Sequence, residues 1–203
     1  TVEDAAAIEH AVRTHGFTGL VDHLHLYAPA FRALIDALCE KSGPRTLRAT
    51  AGAHGPHRTG WSPLWDWAGH DLAMVLTATD VDPVEINAGV DTEIVEDGRT
   101  YRNYGIDLTF RDGARAALLV GNAFAEKTRQ FCAEADGVEL CYRENEAGEI
   151  SFSIDGARRT DLKTGIESRP LNAALVAFAA RIESGGGTDD ITLGANVVRL
   201  IDA

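Results

Sequence analysis

Nothing in this chain spells out a cofactor site. There is no G-x-G-x-x-G after a strand, no G-x-S-x-G, no P-loop and no cluster at metal-ligand spacing. Gly185-Gly186-Gly187 follows a helical stretch and lacks the strand that a phosphate-binding turn requires. Only three cysteines occur, Cys39, Cys132 and Cys141. Their odd number and spacing read as small reduced hydrophobes of a cytoplasmic protein. No apolar run approaches the about 18–20 residues of a membrane span, and no signal peptide is visible. Basic residues are scarce: 19 Lys and Arg face 31 Asp and Glu, a formal charge of -12. Such a field repels phosphate backbones and anionic lipid, so neither nucleic acid nor a membrane is an expected partner.

What is present is ordinary globular material, 45% hydrophobic and 25% charged over 203 residues, enough to bury a core. Thr1 with Glu3 and Asp4 starts a helix that runs to about His15 and stops at Gly16. The apolar stretch Phe17 to Tyr27 reads as a strand closed by Pro29. Phe31, Leu34, Ile35 and Leu38 recur at helical spacing. Arg45 to Gly52 reads as another strand, and Pro63 opens a helix from Leu64 to Thr79.

After Asp82-Pro83 the periodicity switches. Strands are expected at Val84–Val95, Tyr101–Phe110, Arg115–Phe124, Thr128–Ala133, Val138–Tyr142 and Ile150–Ile154. Asp97-Gly98, Asp112-Gly113 and Asp136-Gly137 supply turns between them. Tyr104, Ile106, Leu108 and Phe110 alternate with Asn103, Gly105, Asp107 and Thr109, giving one buried and one more polar face. Helices close the chain near Pro170–Glu183 and Leu193–Ile201. The fold class is therefore α+β, an open, mostly antiparallel β-sheet with helices, rather than repeated βαβ units.

Two constellations carry chemistry. In Leu64-Trp65-Asp66-Trp67-Ala68-Gly69-His70-Asp71, Asp66 and His70 lie four apart on one helix and share a face. A carboxylate beside an imidazole can fix its tautomer, and such a pair suits removal of a hydroxyl proton as hydride leaves the same carbon. The same spacing also occurs in plain surface pairs. Just upstream, His54-Gly55-Pro56-His57-Arg58 concentrates donors in a shaped loop. Arg58 can pair with a carboxylate or phosphate, and the alternative is a solvated loop. His23 and His25 alternate on the expected strand, so one is expected to be a core residue and the other a substrate contact.

In order along the chain, Val21-Asp22-His23, Leu26-Tyr27-Ala28-Pro29-Ala30, Gly55-Pro56-His57-Arg58, Leu64 to Asp71, Gly121 to Arg129, Pro170 to Leu175 and Val197 to Ile201 resemble successive blocks of the Gfo/Idh/MocA oxidoreductases. The Gly-Pro-x-Arg and Leu-Trp-Asp wording looks most like the nucleotide-sugar 3-dehydrogenase branch. The resemblance implies a two-domain enzyme using NAD or NADP on a sugar, nucleotide sugar or cyclitol, with helices on one face of the sheet and a homo-oligomer formed through it. Residues 1–28 would be the last helix and strand of a Rossmann domain whose remainder lies upstream. Residues 29–203 would be the C-terminal substrate-binding and oligomerisation domain.

Carried across, His70 matches the catalytic histidine and Asp66 the acid one turn earlier, with His54, Arg58 and His23 as substrate contacts. Neither NAD nor NADP is expected to bind this chain alone. The family's Glu-Lys-Pro segment is missing, and Lys41, Lys127 and Lys163 fall outside that motif. Leu26 stands where many members carry Arg. The competing expectation is a stand-alone, non-catalytic sugar-binding or oligomerisation module.

Overall fold

The computed structural model describes residues 1–145, 147–159, 169–187 and 189–203. Lys163 therefore lies outside the described residues. Helix α1 spans Val2–His15 and is closed by a Thr1/Asp4 capping box at one end and left-handed Gly16 at the other. A 3₁₀ turn, Leu24–Tyr27, leads into α2, Pro29–Cys39. Strand β1, Thr46–His54, precedes α3, Pro63–Thr79. The strands β2 (Pro83–Glu96), β3 (Arg99–Phe110), β4 (Arg115–Gly121), β5 (Ala123–Ala135), β6 (Val138–Glu144), β7 (Ile150–Ile154) and β8 (Ala157–Arg158) follow. Helices α4, Pro170–Glu183, and α5, Asp189–Asp202, complete the described elements. None of the described helices is long and apolar enough to cross a membrane.

All eight strands form one open sheet in the order β2-β3-β4-β1-β5-β6-β7-β8. Only β1 and β4 run parallel; every other neighbouring pair is antiparallel. Helices α2 and α3 pack on one face of the sheet. Leu47, Ala49 and Ala51 of β1 and Ile106, Leu108 and Phe110 of β3 bury against Phe31, Leu34 and Leu38 of α2 and Leu72, Val75 and Leu76 of α3. The α+β expectation holds, and the period-two pattern of β3 faces the core as read.

Three local expectations fail. Phe17 to Tyr27 is not a strand: residues 17–23 join no ladder and the 3₁₀ turn follows. Of its apolar side chains Tyr27 is buried, Leu20, Val21, Leu24 and Leu26 are partly covered, and Phe17 is exposed. Val21 lies so close to Gly194 of α5 that a Cβ there would meet it at 2.7 Å.

The expected strands Arg115–Phe124 and Thr128–Ala133 are redrawn as β4 and one 13-residue β5, with the break at Asn122. A Cβ on Gly121 would sit 2.1 Å from the Arg102 carbonyl oxygen, so only glycine permits that close approach. The cysteines are the third correction. Cys132 and Cys141 are paired residues of β5 and β6, Cα–Cα 4.2 Å, and are joined as a disulfide, leaving Cys39 free and exposed. Spacing along the chain could not show this, because only strand pairing brings residues nine apart face to face.

Candidate active site

The site grows from the first three turns of α3. Ser62 caps the helix by accepting the Leu64 N–H at 3.2 Å, and Pro63 occupies its first turn. Trp67, His70 and Asp71 are then spaced i, i+3, i+4, and His70 and Asp71 point toward the 3₁₀ turn and β5. There His70 meets His25 and His23 edge to face, with ring centroids 5.4 and 6.1 Å apart. Both His23 and His25 are buried. The expectation that one would face away fails because a 3₁₀ turn does not alternate its side chains as a strand does.

Behind the histidines lies a buried polar layer. Asp71 is fully buried, and one of its carboxylate oxygens accepts from Arg129 of β5 at 2.9 Å. His25 Nδ1 and the Tyr142 hydroxyl of β6 share a hydrogen bond of 2.8 Å. Lys127 donates to Glu144 at 2.6 Å beside them. Four buried polar atoms nearby have no hydrogen-bond partner: His23 Nε2, Trp67 Nε1, His70 Nδ1 and Asp71 Oδ1. Buried polar atoms without a protein partner are uncommon, and a bound water or ligand is one way in which they are satisfied.

Burial holds all three imidazoles neutral. The His70 pKa is pushed down to about 4 by burial first, then by the charge of Arg129 and by His23. That of His25 falls to about 2, by burial and then by Arg129, His70 and Lys127. Burial lowers His23 as well, against the pull of Asp190 and Asp22.

An unfolded histidine takes a proton near pH 6.5, whereas folded His70 and His25 resist until far lower. Below about 6.5 the unfolded chain binds more protons, so stability rises with pH. The contribution is complete above that value and is lost as pH falls toward 4 for His70 and toward 2 for His25. Urea midpoints measured from pH 7 to pH 4 should therefore drop, with His70→Asn showing a shallower slope. Equal slopes in the two proteins would contradict a neutral buried His70.

One turn before His70 the helix borders a second feature, a cleft of about 270 Å³. Arg58, Trp61, Asp66, Arg102 and Tyr104 are among its lining residues. Asp66 does not serve His70 there. Its carboxylate takes Arg58 Nε at 2.9 Å, while His70 Nδ1 has no partner. The first-turn position turns Asp66 toward the preceding loop.

Asn122, buried, pins that loop. Its Oδ1 accepts from Arg102 N at 2.8 Å and its Nδ2 donates to the Pro56 carbonyl at 3.1 Å. His54 is not brought into the cleft. It stacks on Tyr101 at 4.8 Å and meets Glu96 at 3.4 Å, whereas His57 lines the cleft. The structure thus brings His23 to His70 and Arg58 to Asp66, and leaves His54 apart.

Sequence reasoning missed His25, Asp71, Arg129, Tyr142 and Asn122 as site residues. Asp71 was the most legible, since it adjoins His70 and lies four after Trp67. Arg129 and Tyr142 reach the site only through strand pairing. Among the described residues, the one group of metal-ligating side chains close enough to share an ion is Cys132, Glu139 and Cys141. Two of those sulfurs are spent on each other.

No family model and no curated protein matches the sequence. Solved structures do. A protein from Magnetospirillum magnetotacticum assigned as an oxidoreductase is 26% identical, with a TM-score of 0.80 over 100% of this chain and 68% of its own. A UDP-N-acetylglucosamine 3-dehydrogenase from Acidithiobacillus ferrooxidans is 20% identical, with a TM-score of 0.77 over 98% of this chain and 64% of its own. A 3-ketoreductase from Actinomadura kijaniata, in complex with NADP, is 18% identical, with a TM-score of 0.73 over the same shares. What the last two have in common with this chain is the fold. The neighbours are oxidoreductases and dehydrogenases, nucleotide-sugar ones among them, and they bear out the resemblance to the Gfo/Idh/MocA type. The chain spans 64–68% of their lengths.

Proposed function

We propose that this chain is the substrate-bearing part of an NAD(P)-dependent oxidoreductase acting on a hydroxyl or keto carbon of a sugar, nucleotide sugar or cyclitol. The observation that carries the reading is His70, a neutral imidazole whose Nδ1 is buried without a partner, one turn along α3 from an aromatic and arginine-lined cleft. A neutral imidazole accepts a proton, so His70 takes the hydroxyl proton of the substrate. The nicotinamide, when bound, supplies the hydride acceptor.

Asp66, fixed by Arg58, presents a carboxylate to sugar hydroxyls in the cleft, and Trp61 and Tyr104 offer apolar ring faces beside it. His23 closes the other side of the imidazole. Residues 1–28 are read as the end of a dinucleotide-binding domain, a reading supported by neighbours of whose chains this one spans 64–68%. The helix-free face of the sheet is where self-association is expected.

The test is to sequence the DNA upstream of the Thr1 codon and express the whole reading frame. That protein should reduce NAD or NADP at 340 nm with members of a panel of sugars, nucleotide sugars and cyclitols. A reading frame without a dinucleotide-binding domain, or no turnover across the panel, would remove the proposal.

A further inference from the structure

The cleft beside Asp66 has two walls from different parts of the chain. One is the loop after β1, which carries Arg58 and Trp61; the other is β3, which carries Arg102 and Tyr104. Between them, at the break from β4 to β5, sits Asn122, 2% exposed. Its polar groups, backbone and side chain alike, are divided between the two walls. The backbone N–H donates to the Arg102 carbonyl at 3.0 Å, and Oδ1 accepts from the Arg102 N–H at 2.8 Å. The backbone carbonyl accepts from the Gly55 N–H at 3.0 Å, and Nδ2 donates to the Pro56 carbonyl at 3.1 Å. Another tie between the walls, Ser62 Oγ to the Tyr104 hydroxyl, is 3.4 Å long and only partly buried.

We propose that Asn122 is a positioning residue of the cleft: it sets how far the Arg58 wall stands from the Arg102 wall, and so governs substrate affinity rather than the chemical step. This rests on the cleft being where the sugar-type substrate of the proposed function binds. The chain of contacts is short. Pro56 lies two residues before Arg58, and Arg58 Nε holds the Asp66 carboxylate at 2.9 Å. Arg102 is gripped through both its backbone groups, which fixes the root of its side chain at the cleft. His70 packs against the 3₁₀ turn instead, so loss of Asn122 leaves the proton acceptor in place.

The side chain suits the place because a short amide offers an acceptor and a donor at once. Alanine would release both the Arg102 N–H and the Pro56 carbonyl. Aspartate would keep an acceptor for Arg102 and turn its second oxygen toward the carbonyl oxygen of Pro56, which frees the loop alone. A purely architectural asparagine would behave differently. It would stabilise the whole domain and leave the ratio of KM to kcat alone.

The test has two readouts. The Gly55 N–H bonds Asn122 itself, and the Trp61 N–H closes the loop on the Arg58 carbonyl at 3.2 Å. In this chain, amide hydrogen exchange of Asn122→Ala should be about tenfold faster at both, the scale of losing a hydrogen bond. Leu47 to Ala51 on β1 should exchange as in the unsubstituted chain. In the complete enzyme the same variant should raise KM about tenfold with kcat held within about twofold. In an Arg58→Ala background its effect on KM should shrink, because both changes act through one loop. Asn122→Asp should copy the rise in KM, and it decides if Asn122→Ala does not fold. Exchange that is unchanged, or faster everywhere alike, overturns the proposal, as does an unmoved KM or a full effect in the Arg58→Ala background. Absence of turnover in the unsubstituted enzyme removes the proposed function and this inference with it. That failure is told apart by the exchange measurement, which needs no substrate.

Discussion

Replacing His70 with alanine in the complete enzyme should cut turnover by roughly 10²–10⁴-fold, the span of general acid–base catalysis, with cofactor affinity retained. His70 is suited to the role by its charge state as well as by its place. Burial and Arg129 bring the imidazole down to about 4, so at neutral pH it is wholly in the accepting form. The acid limb of kcat/KM for the intact enzyme should accordingly fall near pH 4 rather than near 6.5. Loss of the imidazole removes both the limb and the rate. Asp66→Asn should act differently, raising KM more than it lowers kcat, since Asp66 faces the cleft and Arg58 rather than the His70 ring. Steady-state kinetics over pH 4–9 separate these cases, and near-normal turnover in His70→Ala would end its assignment as base.

The second large effect is on stability. Asp71→Ala should cost about 3–5 kcal/mol, because it strands the Arg129 guanidinium in the core without a counter-ion. Small domains are stable by only about 5–15 kcal/mol in total, so the variant should stand at the edge of folding. The double variant Asp71→Ala/Arg129→Met should be more stable than Asp71→Ala alone, since no charge is then buried unpaired. Urea unfolding followed by circular dichroism measures all three proteins. Equal midpoints for the single and double variants would mean that Arg129 reaches water once Asp71 is gone, and the buried-pair account would fall. Exposed pairs such as Arg48–Glu139 offer a contrast, each being worth about 0–1 kcal/mol.

How legible the molecule was depends on how far along the chain each interaction reaches. Helices α1, α2, α3 and α4 followed from caps, Pro at the first turn and i, i+3, i+4 stripes, all written within a few residues. A period-two run located β3, and the Asp-Gly turns bounded β2 and β6. The apolar run before Tyr27 misled, because hydrophobicity alone does not say whether a segment is buried in a sheet or against a helix such as α5. His70, Asp66, Arg58 and His23 were legible as candidates from their spacing and wording, and His54 was placed by its neighbours in sequence rather than by its partner Tyr101.

The sequence by itself therefore determined the fold class, the turn from helices to strands after Pro83, and the placing of an acid and an imidazole one turn apart on α3. Tertiary structure decided what those groups do to one another. It gave Asp66 to Arg58, set Asp71 against Arg129 from a strand 58 residues away, and joined His25 to Tyr142 at a separation of 117. Local geometry is fixed by backbone sterics and side-chain period, which a short window contains. Charge state is fixed by burial and by whichever distant charges the packed core brings within a few ångströms, and those exist only once the sheet has closed over the helices.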